Sequence, residues 1–270
     1  MTIILIDASY FIFYRYYATI VWWKHNAEPP YENLHTNEVF VKKFIELFKA
    51  KLREIPNKLK IKEPYQIYVA YDCPRGQIWR NEKIDNYKGT RKCADDVGEF
   101  FKIVMNERLF DAPIITGTLS LDCLEADDII ALFIKKIHQL HPEREIYVIT
   151  NDHDYLQLKT DQVFLINLKY QRVGHSKTTG DAQKDLFIKA VCGDKSDNIN
   201  KIFKNKKVGP KTAEKLYDDE DAFKKICADD SDETYNNYLT NMTLIAFVNI
   251  PEKYSQLFYE KYTDMFFATN

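Results

Sequence analysis

The chain has 270 residues, of which 45% are hydrophobic, 29% charged and 14% aromatic, with 38 basic against 40 acidic groups for a formal charge of −2. Those proportions exclude a disordered or collagen-like chain and leave room for one large or two small domains with a buried core. No run approaches the ~20 apolar residues of a membrane helix, and MTIILID lacks a signal peptide's basic start and long apolar run, so a soluble intracellular protein is expected.

In chain order, TIILID (2–7) is a β-branched run that reads as a buried strand and ends in Asp7. The aromatic stretch YFIFYRYYATIVWW (10–23) invites a base-stacking reading, but core packing with one or two exposed rings explains it better. TNEVFVKKFIELFKAKLREI (36–55) places Val39, Val41, Phe44, Ile45, Phe48 and Leu52 near helical spacing. QIYVAYD (66–72) is a second strand and ends in Asp72. WRNEKIDNYKGTRK (79–92) follows, carrying Arg80, Lys83, Lys88, Arg91 and Lys92. It is either a solvated basic loop or a source of positive charge for a phosphate.

DDIIALFIKKIHQL (127–140) is a second clear helix, and EIYVITND (145–152) and VFLINL (163–168) are two more strands. Beyond about residue 180 the pattern turns helical and more polar. DAQKDLFIKAVCGDKSDNI and KKVGPKTAEKLY read as helices around a loop, ADDSDET as a solvated loop, and YNNYLTNMTLIAFVNI as a final helical segment. Strands alternating with helices predict an α/β fold, with a mainly parallel central sheet flanked by helices and a C-terminal helical region.

Asp7, Asp72 and Asp152 each stand at the carboxyl end of an apolar run, where open parallel sheets bind ligands. Glu125, Asp127 and Asp128 crowd the start of a helix that is apolar over most of its circumference, more acid than a helix dipole requires. Asp152 and Asp154, two apart, point to one side of an extended segment, and Asp194 and Asp197 lie three apart after a helix. Singly, each group fits a turn or a cap; together they suggest one site. Oxygen ligands without thiolate or imidazole select magnesium or manganese. The five cysteines and six histidines show no metal-ligand spacing.

Nine carboxylates can neutralise two divalent ions, the arrangement used for in-line attack on a phosphodiester. Setting them aside moves the formal charge from −2 to +7, a balance suited to a polyanion. KIFKNKKVGPKTAEKL (201–216) holds Lys201, Lys204, Lys206, Lys207, Lys211 and Lys215 against the single acid Glu214. Its Val208-Gly209 turn and Thr212 begin a helix whose free amides can grip a phosphate.

These pieces, LIDASY, YDCPRGQIWRNEKIDNYKGTRK, LEADDIIA, TNDHDYLQL, GDKSDNI and VGPKTAEKL, resemble in order and spacing the 5′-nuclease, or flap endonuclease, superfamily over residues 3–217. The tail resembles the RNase H branch found in T-even phages. The resemblance implies a PIN-like nuclease core over residues 1–180, with a short arch at about 80–112, and a helix-three-turn-helix DNA-binding region over 181–270. It also implies that Asp7, Asp72, Glu125, Asp127 and Asp128 serve one metal position and Asp152, Asp154, Asp194 and Asp197 the other. Lys88 and Arg91 would contact the scissile phosphate, supported by Arg80. Lys83, Lys92, Lys204, Lys206, Lys207, Val208, Gly209, Lys211 and Thr212 would hold DNA, with a potassium ion as a candidate at the turn. Two departures stand out: Lys207 occupies the first position of a Gly-x-Gly loop, and His153 separates two aspartates where relatives carry glycine.

The expected activity is that of a monomeric, magnesium-dependent 5′→3′ exonuclease and 5′ flap endonuclease, with manganese able to substitute. Its partners would be branched or nicked duplex DNA, 5′ flaps and RNA–DNA hybrids in primer removal, with a sliding clamp or single-strand-binding protein as further candidates. A PIN-type ribonuclease and a branched-DNA-binding protein without cleavage are the alternatives. The VGPKTAEKL element argues against the first, and the full acidic set against the second.

Overall fold

A computed structural model describes the chain except for residues 28–30, 63, 91–95, 175–177 and 268–270. Arg91 and Lys92, expected at the site, lie outside the described residues. Five strands form one sheet in which every pairing is parallel: β1 (Thr2–Asp7), β2 (Tyr65–Ala70), β3 (Gly117–Leu119), β4 (Ile146–Ile149) and β5 (Val163–Ile166), in the order β3-β2-β1-β4-β5. β3 was not anticipated: three residues, GTL, carry no periodicity, and pairing with Tyr68–Ala70 makes them a strand.

Alternate residues of β1 serve two cores. Ile4 and Ile6 face α1 (Ala8–Lys24), α2 (Glu38–Lys58) and α3 (Val97–Asn106), while Ile3 and Leu5 face α4 (Ala126–Leu140) and the later α9 (Glu252–Lys261). Both faces of the sheet are thus covered, which is why the strands read as continuous apolar runs. α2 buries Phe40, Phe44, Phe48, Leu52 and Ile55, whereas Val39 is 65% exposed. The buried stripe therefore begins one residue later than the sequence spacing suggested.

In α1, Phe11, Ile12, Arg15, Tyr16 and Thr19 are buried, while Phe13, Tyr17 and Trp22 are 38%, 47% and 37% exposed. The aromatic run is core on one side and open on the other. After β5 come α5 (Ala182–Cys192), α6 (Pro210–Tyr217), α7 (Glu220–Ala228), α8 (Thr234–Ile245), α9 and α10 (Thr263–Phe267). α5 to α8 share a small core around Phe187, Phe223 and Cys227, extended by a cluster that links Leu186, Leu244 and Ile245 to Ile78 and Tyr87. Among the described residues no helix is long and apolar enough to cross a membrane.

Candidate metal centre and nucleic-acid interface

The chain builds the sheet outward from β1 in one direction to β3, then crosses to β4 on the other side. The crevice outside the carboxyl ends at such a switch is where an open parallel sheet binds ligands. Asp7 closes β1 and caps α1, its Oδ1 accepting the Tyr10 amide at 2.9 Å and its Oδ2 the Tyr155 hydroxyl at 3.0 Å. Asp72, just past β2, accepts the Ala126 amide at 2.8 Å and the Ser9 hydroxyl, so it already braces the start of α4.

Glu125 is the N-cap of α4 and forms a reciprocal capping box with Asp128. Asp128 is fully buried: both its oxygens take Arg80 at 2.7 Å, and Trp79 Nε1 donates to Oδ2 at 3.0 Å. Arg80, only 2% exposed, also reaches Glu125 at 3.0 Å and the Leu244 carbonyl at 2.6 Å. Arg80 is therefore turned into the protein, and Asp128 with it. Asp127 lines the cleft, and ligand oxygens of Glu125, Asp127 and Asp128 lie within 4.8 Å of one another.

The opposite wall begins at Asp152, which caps a 3-10 helix (His153–Leu158) by accepting the Asp154 amide at 2.9 Å. Asp154 is bonded by Lys189 Nζ at 2.5 and 2.7 Å, and the same ammonium reaches Asp194 at 2.8 Å. Gly193 makes that approach possible. Its φ of +75° ends α5, and a Cβ there would lie 2.5 Å from the Ile199 carbonyl, inside the turn that presents Asp194. Asp197 is buried behind the turn, accepting the Tyr87 hydroxyl at 3.2 Å and Ser196 Oγ at 3.1 Å.

Asp7, Asp72, Glu125, Asp127, Asp152, Asp154 and Asp194 line one cleft of about 1720 Å³, together with Lys88 and Lys189. Asp128 and Asp197 stand behind its walls. Lys88 adopts a left-handed backbone (φ 53°), its amide held by the Asp197 carbonyl at 3.0 Å, and that turn aims Nζ at Glu125 Oε1, 2.5 Å away. Lys83, in the same basic segment, is exposed.

Crowding leaves an electrostatic signature. Burial, then the neighbouring Asp72 charge, pushes Asp7 up to about 7. Asp127 is held well above the usual carboxylate range by burial and then by Asp128 and Glu125. Glu125 and Asp154 are also raised, by burial first, although Lys88 and Lys189 act against the rise. Asp194 is held at about 2: burial opposes its charge, but donation from Lys189 and Ser196 outweighs it. Negative charge is therefore under-compensated on the Asp7–Asp127 side, and the donors are all hard oxygens. That set fits divalent ions of the magnesium type.

The basic turn lies on the α5–α6 side. Gly209 caps α6 with no side-chain contact, Pro210 begins it, and Lys207, Lys211 and Thr212 are exposed. Val208 is half-buried against the small core, Lys204 pairs with Glu233 at 2.6 Å, and Lys206 approaches Asp229 at 3.8 Å. A cavity of about 590 Å³ runs from Asp154 and Lys189 to Pro210 and Lys211, joining the turn to the acidic cleft.

Sequence reasoning missed Lys189, Tyr155 and Asp230. Lys189 looks like an ordinary basic residue in a helix's last turn, where it would complement the dipole. ADDSDET, expected to be only a solvated loop, contains Asp230, which is 9% exposed and accepts the Lys204 and Asn205 amides at 3.1 and 3.0 Å. Its hydrogen bonds run to residues 25 and 26 positions earlier, and local patterning does not report such partners.

A parallel sheet with helices on both faces and an acidic cleft at its switch point is an arrangement suited to holding divalent metal. Residues 2–186 match the model of the 5′-3′ exonuclease N-terminal resolvase-like domain, and the chain belongs to that family of 5′ nucleases. It is 26% identical over 229 residues to the 5′-3′ exonuclease of Mycoplasmopsis pulmonis, covering 83% of this chain and 68% of that one. It is 26% identical over 212 residues to the ribonuclease H of Enterobacteria phage T4, covering 69% of this chain and 66% of that protein. It also matches bacterial DNA polymerase I, spanning only 23% of the Streptococcus pneumoniae chain. The fold is similar to that of the T5 D15 protein co-crystallized with metal ions, at a TM-score of 0.67 and 15% identity over 98% of this chain and 99% of that one. A further structure of D15, a flap endonuclease, is a complex with DNA and metal ions.

Proposed function

We propose that the chain is a magnesium-dependent 5′→3′ exonuclease and structure-specific 5′ flap endonuclease. It would act on branched or nicked duplex DNA and on RNA–DNA hybrids during primer removal, as a monomer. The observation that carries this reading is the convergence of seven carboxylates from separate segments on one cleft with Lys88. Asp7, Asp72, Glu125 and Asp127 would hold one divalent ion, and Asp152, Asp154 and Asp194 the other. When bound, such ions supply an activated water and offset the charge that develops on phosphorus.

The chain's own residues do the rest. Lys88 would exchange Glu125 for a non-bridging phosphate oxygen, and Lys189 would be released from Asp154 and Asp194 when countercharge arrives. Asp128 and Asp197 act from behind the walls, Asp128 by holding Arg80 against Glu125. Water adds to phosphorus in line, the 3′ oxygen leaves and takes a proton, and the products carry a 5′-phosphate and a 3′-hydroxyl. Lys83, Lys204, Lys206, Lys207, Val208, Gly209, Lys211 and Thr212 would grip duplex phosphates over the α5–α6 turn, within a helical region that we read as residues 181–270. A potassium ion at that turn would show as tighter flap binding in potassium than in sodium chloride.

The test is cleavage of 5′-labelled flap, nicked and RNA–DNA substrates with magnesium or EDTA. Metal-dependent release of short 5′ products is expected. Binding without cleavage, or cutting of single-stranded RNA alone, would favour the alternatives.

A further inference from the structure

The walls of the cleft come from segments far apart in the chain, yet three of them, carrying Glu125 with Asp128, Asp154, and Asp194 with Asp197, lean on one piece of backbone. α8 ends at Ile245, and the last carbonyls of a helix have no partner within it. The Leu244 carbonyl accepts Arg80 Nε at 2.6 Å, and the same guanidinium holds Glu125 and Asp128. The Ile245 carbonyl accepts Gln157 Nε2 at 3.1 Å. Gln157 also donates to the Asp154 carbonyl at 3.1 Å, and its Oε1 takes the Phe247 amide at 3.1 Å. One turn earlier, Asn241 Nδ2 donates to the Ala190 and Asn200 carbonyls, both at 2.8 Å, on either side of the turn that carries Asp194 and Asp197.

Leu244, Ile245 and Ala246 are nearly fully buried, and Asn241 is 7% exposed, so these bonds face little competition from water. Three side chains therefore fix three carboxylate-bearing segments to the end of one helix. None of the three contacts requires a residue of α8 to enter the cleft.

We infer that the last turn of α8 and the two residues after it, 241–247, form the common seat that registers the acidic walls, with Gln157 and Asn241 as positioning residues for divalent-metal binding. The inference rests on the metal-site reading above and assigns its preorganisation to a helix that supplies no ligand. A displacement of α8, such as one imposed by nucleic acid on the helical region, would reach both walls at once. A site that must be held to within about half an ångström responds to loosening of its support.

The experiment uses the full chain and Mn2+ alone as probe, with free ion read by electron paramagnetic resonance. Gln157→Met keeps the volume and loses the two donations and the strong acceptor, and Asn241→Leu loses the two donations that flank the Asp194–Asp197 turn of the same wall. Each should weaken Mn2+ binding about tenfold, with flap-DNA binding in EDTA unchanged for Gln157→Met. Leu52→Ala, in the core on the far face of the sheet, serves as a control matched for lost thermal stability. Wild-type Mn2+ affinity in both variants overturns the inference, as does an equal loss in Leu52→Ala. Absence of folded near-UV signal in both variants also overturns it, because the seat would then be a contact of the whole fold. Failure of the unmodified chain to bind Mn2+ would instead sink the metal-site reading itself.

Discussion

Asp127 and Asp128 are adjacent in sequence and opposite in circumstance. Asp128 has a guanidinium on both oxygens, while Asp127 faces the cleft with its charge opposed by burial and by two other carboxylates. Asp127→Asn together with Asp152→Asn should lower cleavage at least a thousandfold while leaving flap binding intact, measured by single turnover and by anisotropy. Asp127→Asn should also raise the melting temperature in EDTA at neutral pH, because folding there must protonate a carboxyl that the unfolded chain ionises. Lys88→Ala should reduce the single-turnover rate about a hundredfold with a smaller change in affinity; a pure binding defect would assign Lys88 to positioning the DNA backbone. Arg80→Met leaves Asp128 buried without its cation and Glu125 with Lys88 alone, so it should cost about 3–5 kcal/mol in urea denaturation. That loss should appear whether or not metal is present.

At the scale of elements, the turn before α6 depends on a residue outside it. Asp230, at the end of α7, ties down the amides of Lys204 and Asn205 and accepts the Thr234 hydroxyl at 2.9 Å, so the start of α8 and the basic turn are set together. Asp230→Ala should weaken binding of duplex flap substrates several-fold and flatten the salt dependence of affinity, with the maximal cleavage rate preserved. A fall in maximal rate at unchanged affinity would contradict this role. The α4 N-terminus behaves differently: Asp72, Ser9 and the capping box already hold it, so its rigidity does not wait for nucleic acid.

For the whole molecule the acidic cleft links stability to pH and metal. Asp7, held at about 7, and Glu125, Asp127 and Asp154, all raised, keep protons in the folded chain that the unfolded chain releases nearer its ordinary carboxylate range. The native state therefore binds more protons between about pH 4 and pH 7, and metal-free stability should fall as pH rises through that window. Magnesium or manganese should remove most of that slope. Melting temperatures in EDTA and in excess metal across pH 5–8 check both statements, and a metal-free melting temperature that rises with pH would overturn them.

Much of this was legible in the sequence, for a local reason. Buried parallel strands are apolar runs, the acids that end them follow directly, and α4 announces itself by its period, so four of the five strands and the acidic inventory could be read locally, whereas β3, α3 and the strand order could not. What the sequence could not supply was the pairing of distant groups. That Asp128 faces Arg80 rather than the cleft, that Lys189 bridges Asp154 and Asp194, and that Asp230 holds the basic turn all depend on residues brought together across 25 to 48 positions. A carboxylate's role is set by the partner that folding places beside it. Residue type and spacing identify the acids, and only the tertiary structure decides which line the cleft and which are turned into the protein against a buried cation.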